Sequence, residues 1–274
     1  MTPARASVLI RSKDEGASIG RTLELIAGQS EPALEVILVD SGSRDDTVGI
    51  ARAAGARIIE IPASDFTYGR ALNIGCEAAT GEFVVALSAH AFPPDPDWLA
   101  RMVATLDDPR VACACGQAFG PDGAPIDQPV RQDASLVRRQ PFFGFSNAAG
   151  GFRRQLWEQR GFREEMPGTE DKEWSLFWLD KGYLCVIASE LAVEHDHSKD
   201  SLPEQYRRAL REWWGLAMAM DGIPGYSIPE YPLGAMLREW WSEQDSYRSA
   251  SRARLSHRRA ARLIGKYVGR RRPV

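Results

Sequence analysis

Short apolar runs punctuate the first third of the chain: Ser7–Ile10, Val36–Val39, Arg57–Ile61 and Phe83–Leu87. The first and fourth read as buried strands, and the second and third as further strands. Between them the period changes to that of a helix. Ile19, Leu23 and Ile26 share one face after the polar turn Arg11–Gly16, a second helix is predicted from about Asp45, and a third from Gly69 to Ala79. Strands alternating with helices predict a parallel, doubly wound α/β sheet covered on both faces. In such sheets ligands bind beyond the carboxyl ends of the strands. Ser12, Asp40 and His90 all stand there.

Beyond residue 110 the pattern is less regular. A strand is expected at Val111–Cys115, then a Pro/Gly-rich loop from Phe119 to Pro129. Phe142–Asn147 with the pair Gly150-Gly151 reads as an aromatic-lined turn. A helix from Glu170 to Lys181 stops at Gly182, and a strand follows from Tyr183 to Ile187. Leu202–Met220 is amphipathic, and Leu233–Trp241 reads as a further helix ending in a tryptophan pair. The pattern divides the chain into residues 1–115, residues 116–201 and a helical extension over 202–274.

Composition adds three constraints. With 44% hydrophobic and 26% charged residues in 274, the chain is ordinary for a globular protein with a sizeable core. No apolar stretch approaches the roughly 20 residues that span a bilayer, and no leader pattern is read at the N-terminus, so a cytoplasmic location is expected. Four cysteines without CxxC spacing fit packed free thiols. The net charge of −3 hides a polarity: no acid follows Asp245, whereas ten arginines and lysines lie between Arg248 and Arg272. Such a tail is expected either to meet an anionic membrane surface or to stay solvated; a nucleic acid is not the expected partner.

Several segments carry candidate chemistry. In VILVDSGSRDDT, Asp40 either accepts hydrogen bonds from a nucleotide or simply builds the turn. In DFTYGRALNIGCEAATGEF, Gly69 and Gly75 permit close approach and Asn73 can bond a backbone. Arg70 at a helix start suits a phosphate. Glu170 and Asp171 open a helix, where acids complement the dipole or serve as a general base. His195 and His197 would share a face if extended, and with His90 could surround a divalent cation. Neither GxxxxGK[ST] nor GxGxxG follows a strand, which excludes those phosphate-binding loops.

The order of these pieces, from strand-Asp40 through Gly69-Arg70-Asn73, LSAHAFP with DPDWL, FSNAAGGFRR and Glu170-Asp171 to the H-x-H segment, resembles the family 2 glycosyltransferases with a GT-A fold. The resemblance runs from about Ser7 to Ser201 and is nearest to bacterial rhamnosyltransferase-like members. It implies a mainly parallel sheet flanked by helices and an inverting transfer from a dTDP-, UDP- or GDP-sugar to an acceptor saccharide or small molecule. Ser12, Glu15, Asp40, Ser88 and Asn147 would then line the donor pocket, with Arg70 near the diphosphate. Asp171, seconded by Glu170, would be the base. Ser88-Ala89-His90 takes the place of the family's DxD signature, so His90 with His197 or His195 would hold the metal, Mn²⁺ or Mg²⁺. Two carboxylates of that signature are missing here, which favours Mn²⁺ over Mg²⁺ or argues that the metal has been lost. The rival readings are a nucleotidyltransferase, which would normally carry a Gly/Lys-rich first loop, and an inactive nucleotide-sugar-binding module.

Overall fold

The structure is a computed structural model that describes residues 4–120, 123–140, 143–195, 201–220 and 268. The expected helix Leu233–Trp241, the basic tail other than Val268, Phe142 and His197 lie outside the described residues. The described chain falls into two compact units, one within residues 1–165 and 174–196, the other within 166–173 and 197–274.

The first unit is built on one eight-stranded sheet. Its strands are β1 (Ala6–Ser12), β2 (Glu35–Asp40), β3 (Arg57–Glu60), β4 (Phe83–Ser88), β5 (Val111–Gly116), β6 (Val130–Gln132), β7 (Ala149–Arg153) and β8 (Leu184–Ala188), in spatial order 3-2-1-4-7-5-8-6. The pairs β3–β2, β2–β1 and β1–β4 are parallel, as the alternating pattern predicts, and β5–β8 is parallel as well. β7 runs antiparallel between β4 and β5, and β6 runs antiparallel to β8, so the sheet is mixed. The helices α1 (Ile19–Ala27), α2 (Thr47–Ala53), α3 (Tyr68–Ala78) and α4 (Trp98–Leu106) follow β1 to β4 in turn, and the short helices α5 (Ala134–Arg139) and α6 (Arg154–Gln159) flank β7 in sequence. α7 (Glu170–Asp180) precedes β8; its first turn groups with the second unit, where α8 (Leu202–Met220) lies.

Val8, Ile10, Leu38, Phe83, Val85 and Leu87 pack against Ile19, Leu23 and Ile26 of α1 and against Trp98, Leu99 and Met102 of α4. The α1 stripe is therefore the core-facing stripe that its spacing predicts. Trp98 is fully buried and donates its indole N–H to the Leu191 carbonyl at 2.8 Å, which satisfies the one polar atom that burial would otherwise strand. A second cluster joins Phe145, Phe152, Phe162 and Trp174, with ring centroids 5.4–6.3 Å apart.

One expectation needs correction. Gly150 and Gly151 are not in a turn but in the middle of β7, paired with Ala86 and Val85 of β4. A Cβ on Gly150 would meet the Phe145 ring at 2.7 Å and the Ala114 carbonyl oxygen at 3.2 Å, and one on Gly151 would meet Met102 and Leu106 at 2.9 Å. The strand is glycine-rich because two neighbours and α4 press on it, and that removes the β-branched signal by which strands are read.

α3 is held against the chain beyond β7 by two of the residues singled out above. Asn73 is fully used: its Nδ2 donates to the Phe162 carbonyl and to Glu164, and its Oδ1 accepts from the Phe162 N–H and the Trp157 indole. Gly69 faces backbone, since a Cβ there would come within 2.5 Å of the Arg163 carbonyl oxygen and 3.2 Å of Glu164 Cα. Alanine is about 1 kcal/mol better than glycine in an unconstrained helix. Gly69→Ala should nevertheless destabilise the protein by about 1–3 kcal/mol, because a backbone wall cannot rotate away. Chemical denaturation checks this; a stabilised variant would show that the 163–164 segment yields.

Candidate active site

The C-terminal edge of β1, β2 and β4 carries the first cluster. Parallel register sets Ser12 beside Asp40 and Arg11 beside Ser88. Asp40 is buried, and its carboxylate accepts from Ser12 Oγ at 3.0 Å, from Ser43 Oγ, and from the backbone N–H groups of Gly42 and Ser43 at 2.9 and 2.8 Å. Of the two roles open to Asp40 in the sequence, this geometry fills the turn-building one. The loop after β1 is laced to the loop after β2: Ser43 Oγ accepts from the Asp14 N–H, Thr47 Oγ1 from the Glu15 N–H and Asp45 from the Gly16 N–H. Asp14 adopts φ 54°, in the left-handed region that aspartate tolerates better than most residues, and returns a bond by accepting from the Arg44 N–H.

Beside this lies an array of Glu15, His90 and His195. An isolated antiparallel bridge joins Phe92 to Glu194 through two backbone hydrogen bonds of 2.9 and 3.0 Å, and it brings together histidines 105 residues apart. Arg21 of α1 clamps the bridge, stacking on the Phe92 ring at 3.8 Å and pairing with Glu194 at 2.7 Å. Thr22, one residue on, donates to the Ala89 carbonyl at 2.8 Å and pins the turn that presents His90. His90 Nδ1 lies 2.9 Å from Glu15 Oε1, and its Nε2 lies 3.0 Å from His195 Nε2. The two rings are almost parallel, at 17°. Glu15 also accepts from Ser18 Oγ at 2.7 Å. Burial pushes its carboxyl up, but the bonds from His90 and Ser18 outweigh this and hold it below the usual carboxylate range. Ser88 Oγ stands 3.4 Å from His90 Nδ1. Asn147 is buried one residue before Ala148, whose carbonyl accepts from the Ser88 N–H.

Arg70 is exposed in the first turn of α3, a helix capped by Thr67 Oγ1, which accepts from the Arg70 N–H at 3.1 Å. In the second unit, Glu170 is buried and Asp171 partly exposed in the first turn of α7. The residue before them, Thr169, holds φ 60°; a β-branched residue there costs on the order of 1–3 kcal/mol and persists only where its surroundings enforce it. Arg21, Thr22 and the Phe92–Glu194 bridge escape sequence reasoning, because their roles exist only once α1 and the 92–194 pairing are in place.

Residues 7–183 match the family described as Glycosyl transferase family 2. The chain belongs to that family. Among curated family relatives, the O-antigen chain rhamnosyltransferase RfbN of Salmonella typhimurium is 24% identical over 210 residues, covering 71% of this chain and 67% of its own length. WbaN of Salmonella anatum, also an O-antigen chain rhamnosyltransferase, is 27% identical over 186 residues, covering 62% and 59%. The chain thus spans about two thirds of the first relative and under two thirds of the second. The mannosyltransferase PcManGT from Pyrobaculum calidifontis, solved with GDP-Man and Mn²⁺, superposes with a TM-score of 0.67 at 20% identity over 98% of this chain and 88% of its own. Glucosyl-3-phosphoglycerate synthase from Mycobacterium tuberculosis, solved with Mn²⁺ and UDP, gives 0.62 at 20% identity over 81% of each chain. The fold is the GT-A architecture of nucleotide-sugar transferases, as the order of the motifs implies.

Among the described residues no three His, Cys, Asp or Glu side chains form a group that could hold a metal. What this edge offers is two imidazole nitrogens in contact, one ring being oriented by a carboxylate on its other nitrogen, the arrangement that supports histidine ligands in metal sites. The donor chemistry fits a transition ion better than Mg²⁺.

Glu15→Gln tests the array. A carboxyl held low contributes stability that is present above its unfolded value, 4.5, and lost as pH falls through the folded value. The wild type should exceed the variant by about 1 kcal/mol near pH 7, and the difference should shrink in acid as pH falls below 4.5 and through the lower folded value. Denaturation across pH measures it, and a constant difference would remove the Glu15–His90 bond from the account.

Proposed function

We propose that the chain transfers a sugar from a nucleotide-diphosphate donor to an acceptor hydroxyl with inversion at the anomeric carbon. The match of residues 7–183 to Glycosyl transferase family 2 carries this reading. The kinship to O-antigen chain rhamnosyltransferases favours a deoxyhexose donor and a growing saccharide as acceptor. The edge of β1, β2 and β4 takes the nucleotide, with Ser12, Asp40 and the linked turns as its floor and with Ser88 and Asn147 beside it. Arg70 offers a fixed positive charge to the diphosphate.

Asp171 acts as the base. It takes the proton of the acceptor hydroxyl, whose oxygen forms a bond to the anomeric carbon while the bond from that carbon to the diphosphate breaks. The nucleoside diphosphate leaves with the electron pair. Asp171 sits in a first helical turn, where the dipole favours negative charge, and buried Glu170 beside it is the reserve candidate. His90 and His195 would hold the divalent ion, which when bound supplies positive charge against the departing diphosphate. A cytoplasmic site of action, aided by anionic lipid bound through the basic tail, completes the proposal.

Two measurements test it. Asp171→Asn should lower nucleoside-diphosphate release from the accepted member of a dTDP-, UDP- and GDP-sugar panel by about 10²–10⁴-fold, with donor affinity by calorimetry unchanged. Near-normal turnover would move the base elsewhere, and no turnover by the wild type across the panel would favour a binding module. Separately, Mn²⁺ titrated in the presence of UDP or GDP and read by electron paramagnetic resonance should bind the wild type and be lost in His90→Ala and His195→Ala. Equal Mn²⁺ binding by all three would reject the imidazole pair.

A further inference from the structure

The second unit contains an approach closer than side chains allow. α8 reaches the turn before Glu170 at Gly215, where a Cβ would collide with the Gly168 carbonyl oxygen and come within 2.5 Å of Thr169 Oγ1. One helical turn earlier the contact continues, since a Cβ on Gly168 would lie 3.6–3.7 Å from Arg211 Cβ and its carbonyl group. The surface that α8 presents from Arg211 to Gly215 is thus laid on Gly168–Thr169, and Gly215 is buried. The turn it covers is the strained one, with Thr169 at φ 60°, its hydroxyl donating to the Gly168 carbonyl at 2.6 Å and its own carbonyl accepting from the Glu173 N–H at 3.1 Å. Glu170 and Asp171 lie between those two anchors.

We infer that α8 sets the base: the bare backbone of Gly215 is the template that holds Thr169 left-handed, and through that turn it aims the Glu170–Asp171 carboxylates. Gly215 is a positioning residue, and the inference rests on reading Asp171 as the base. Electrostatics agree with the placement. Burial pushes the Glu212 carboxyl up, Arg208, Lys172 and Arg211 pull it back, and Asp171 adds to the rise, so the charges of α8 and of the first turn of α7 share one neighbourhood. α8 begins 19 residues beyond the end of the family match at residue 183, so the template belongs to a segment outside the matched region.

The test is a double-mutant cycle on the full chain, using nucleoside-diphosphate release from the dTDP-, UDP- and GDP-sugar panel together with hydrogen exchange of the 166–173 segment. Gly215→Ala is expected to lower turnover at least 30-fold with donor KM unchanged, to speed exchange at the Glu173 amide, and to add nothing when combined with Asp171→Asn. A folded Gly215→Ala with wild-type turnover and exchange would overturn the inference, as would a double variant whose losses multiply. If Gly215→Ala does not fold, Thr169→Gly replaces it: loosening the turn should lower turnover with donor KM unchanged, and wild-type turnover would overturn the inference. If Asp171→Asn itself retains full turnover, the base reading fails instead. The exchange of Glu173 then decides whether α8 templates the turn: faster in Gly215→Ala supports it, unchanged overturns it.

Discussion

Parallel pairing of β1 with β2 and β4, continuous from Ala6 to Ser12, brings three strand ends to one level of the sheet. A slip of one residue would turn every side chain of β1 to the other face, placing Leu9 where Val8 and Ile10 now pack and parting Ser12 from Asp40. The apolar runs enforce the register, since residues 8–10 and 83–87 are buried on both faces and tolerate no polar intruder. The loops that leave this edge can therefore be laced to one another. Their hydrogen bonds need a fixed starting height, which the core provides.

On that edge the chain meets a difficulty of charge. Glu15 and the buried Asp40 both place a carboxyl group there. Both carboxylates are compensated locally, Asp40 by four donors from its own turn and from Ser12, Glu15 by His90 and Ser18. Hydroxyl, backbone N–H and imidazole groups of this edge are thus committed to the two carboxylates. His90 thus stands between a carboxylate at Nδ1 and the His195 ring at Nε2.

The legible part of the sequence was the part governed by one period at a time. Continuous apolar runs gave β1, β2 and β4, and the 3.6-residue stripe gave α1. β7 was hidden because close packing stripped it to glycine, erasing strand propensity. Of the site, order along the chain pointed to His90 and to a later histidine, but which atoms meet depends on the 92–194 bridge, and a two-residue bridge leaves no periodic trace. Glu15, which the resemblance places in the donor pocket, also braces His90, and that contact is not legible because a side chain leaving a turn has no fixed direction until the turn is built.

Support for the array is steeply graded, and the grading has a physical order. The Phe92–Glu194 bridge is short, and two hydrogen bonds at about 1 kcal/mol each would not hold a segment following β8 against its conformational entropy. Arg21 changes that balance by joining the two halves, its guanidinium on the Phe92 ring and its charge on Glu194, from a helix whose opposite face is locked in the core by Ile19, Leu23 and Ile26. Thr22, on the same helix, fixes Ala89. One rigid helix thereby holds both histidine-bearing segments, so His90 and His195 move together if α1 moves. Their separation is set by the helix and its core, while the exposed loops contribute little to it.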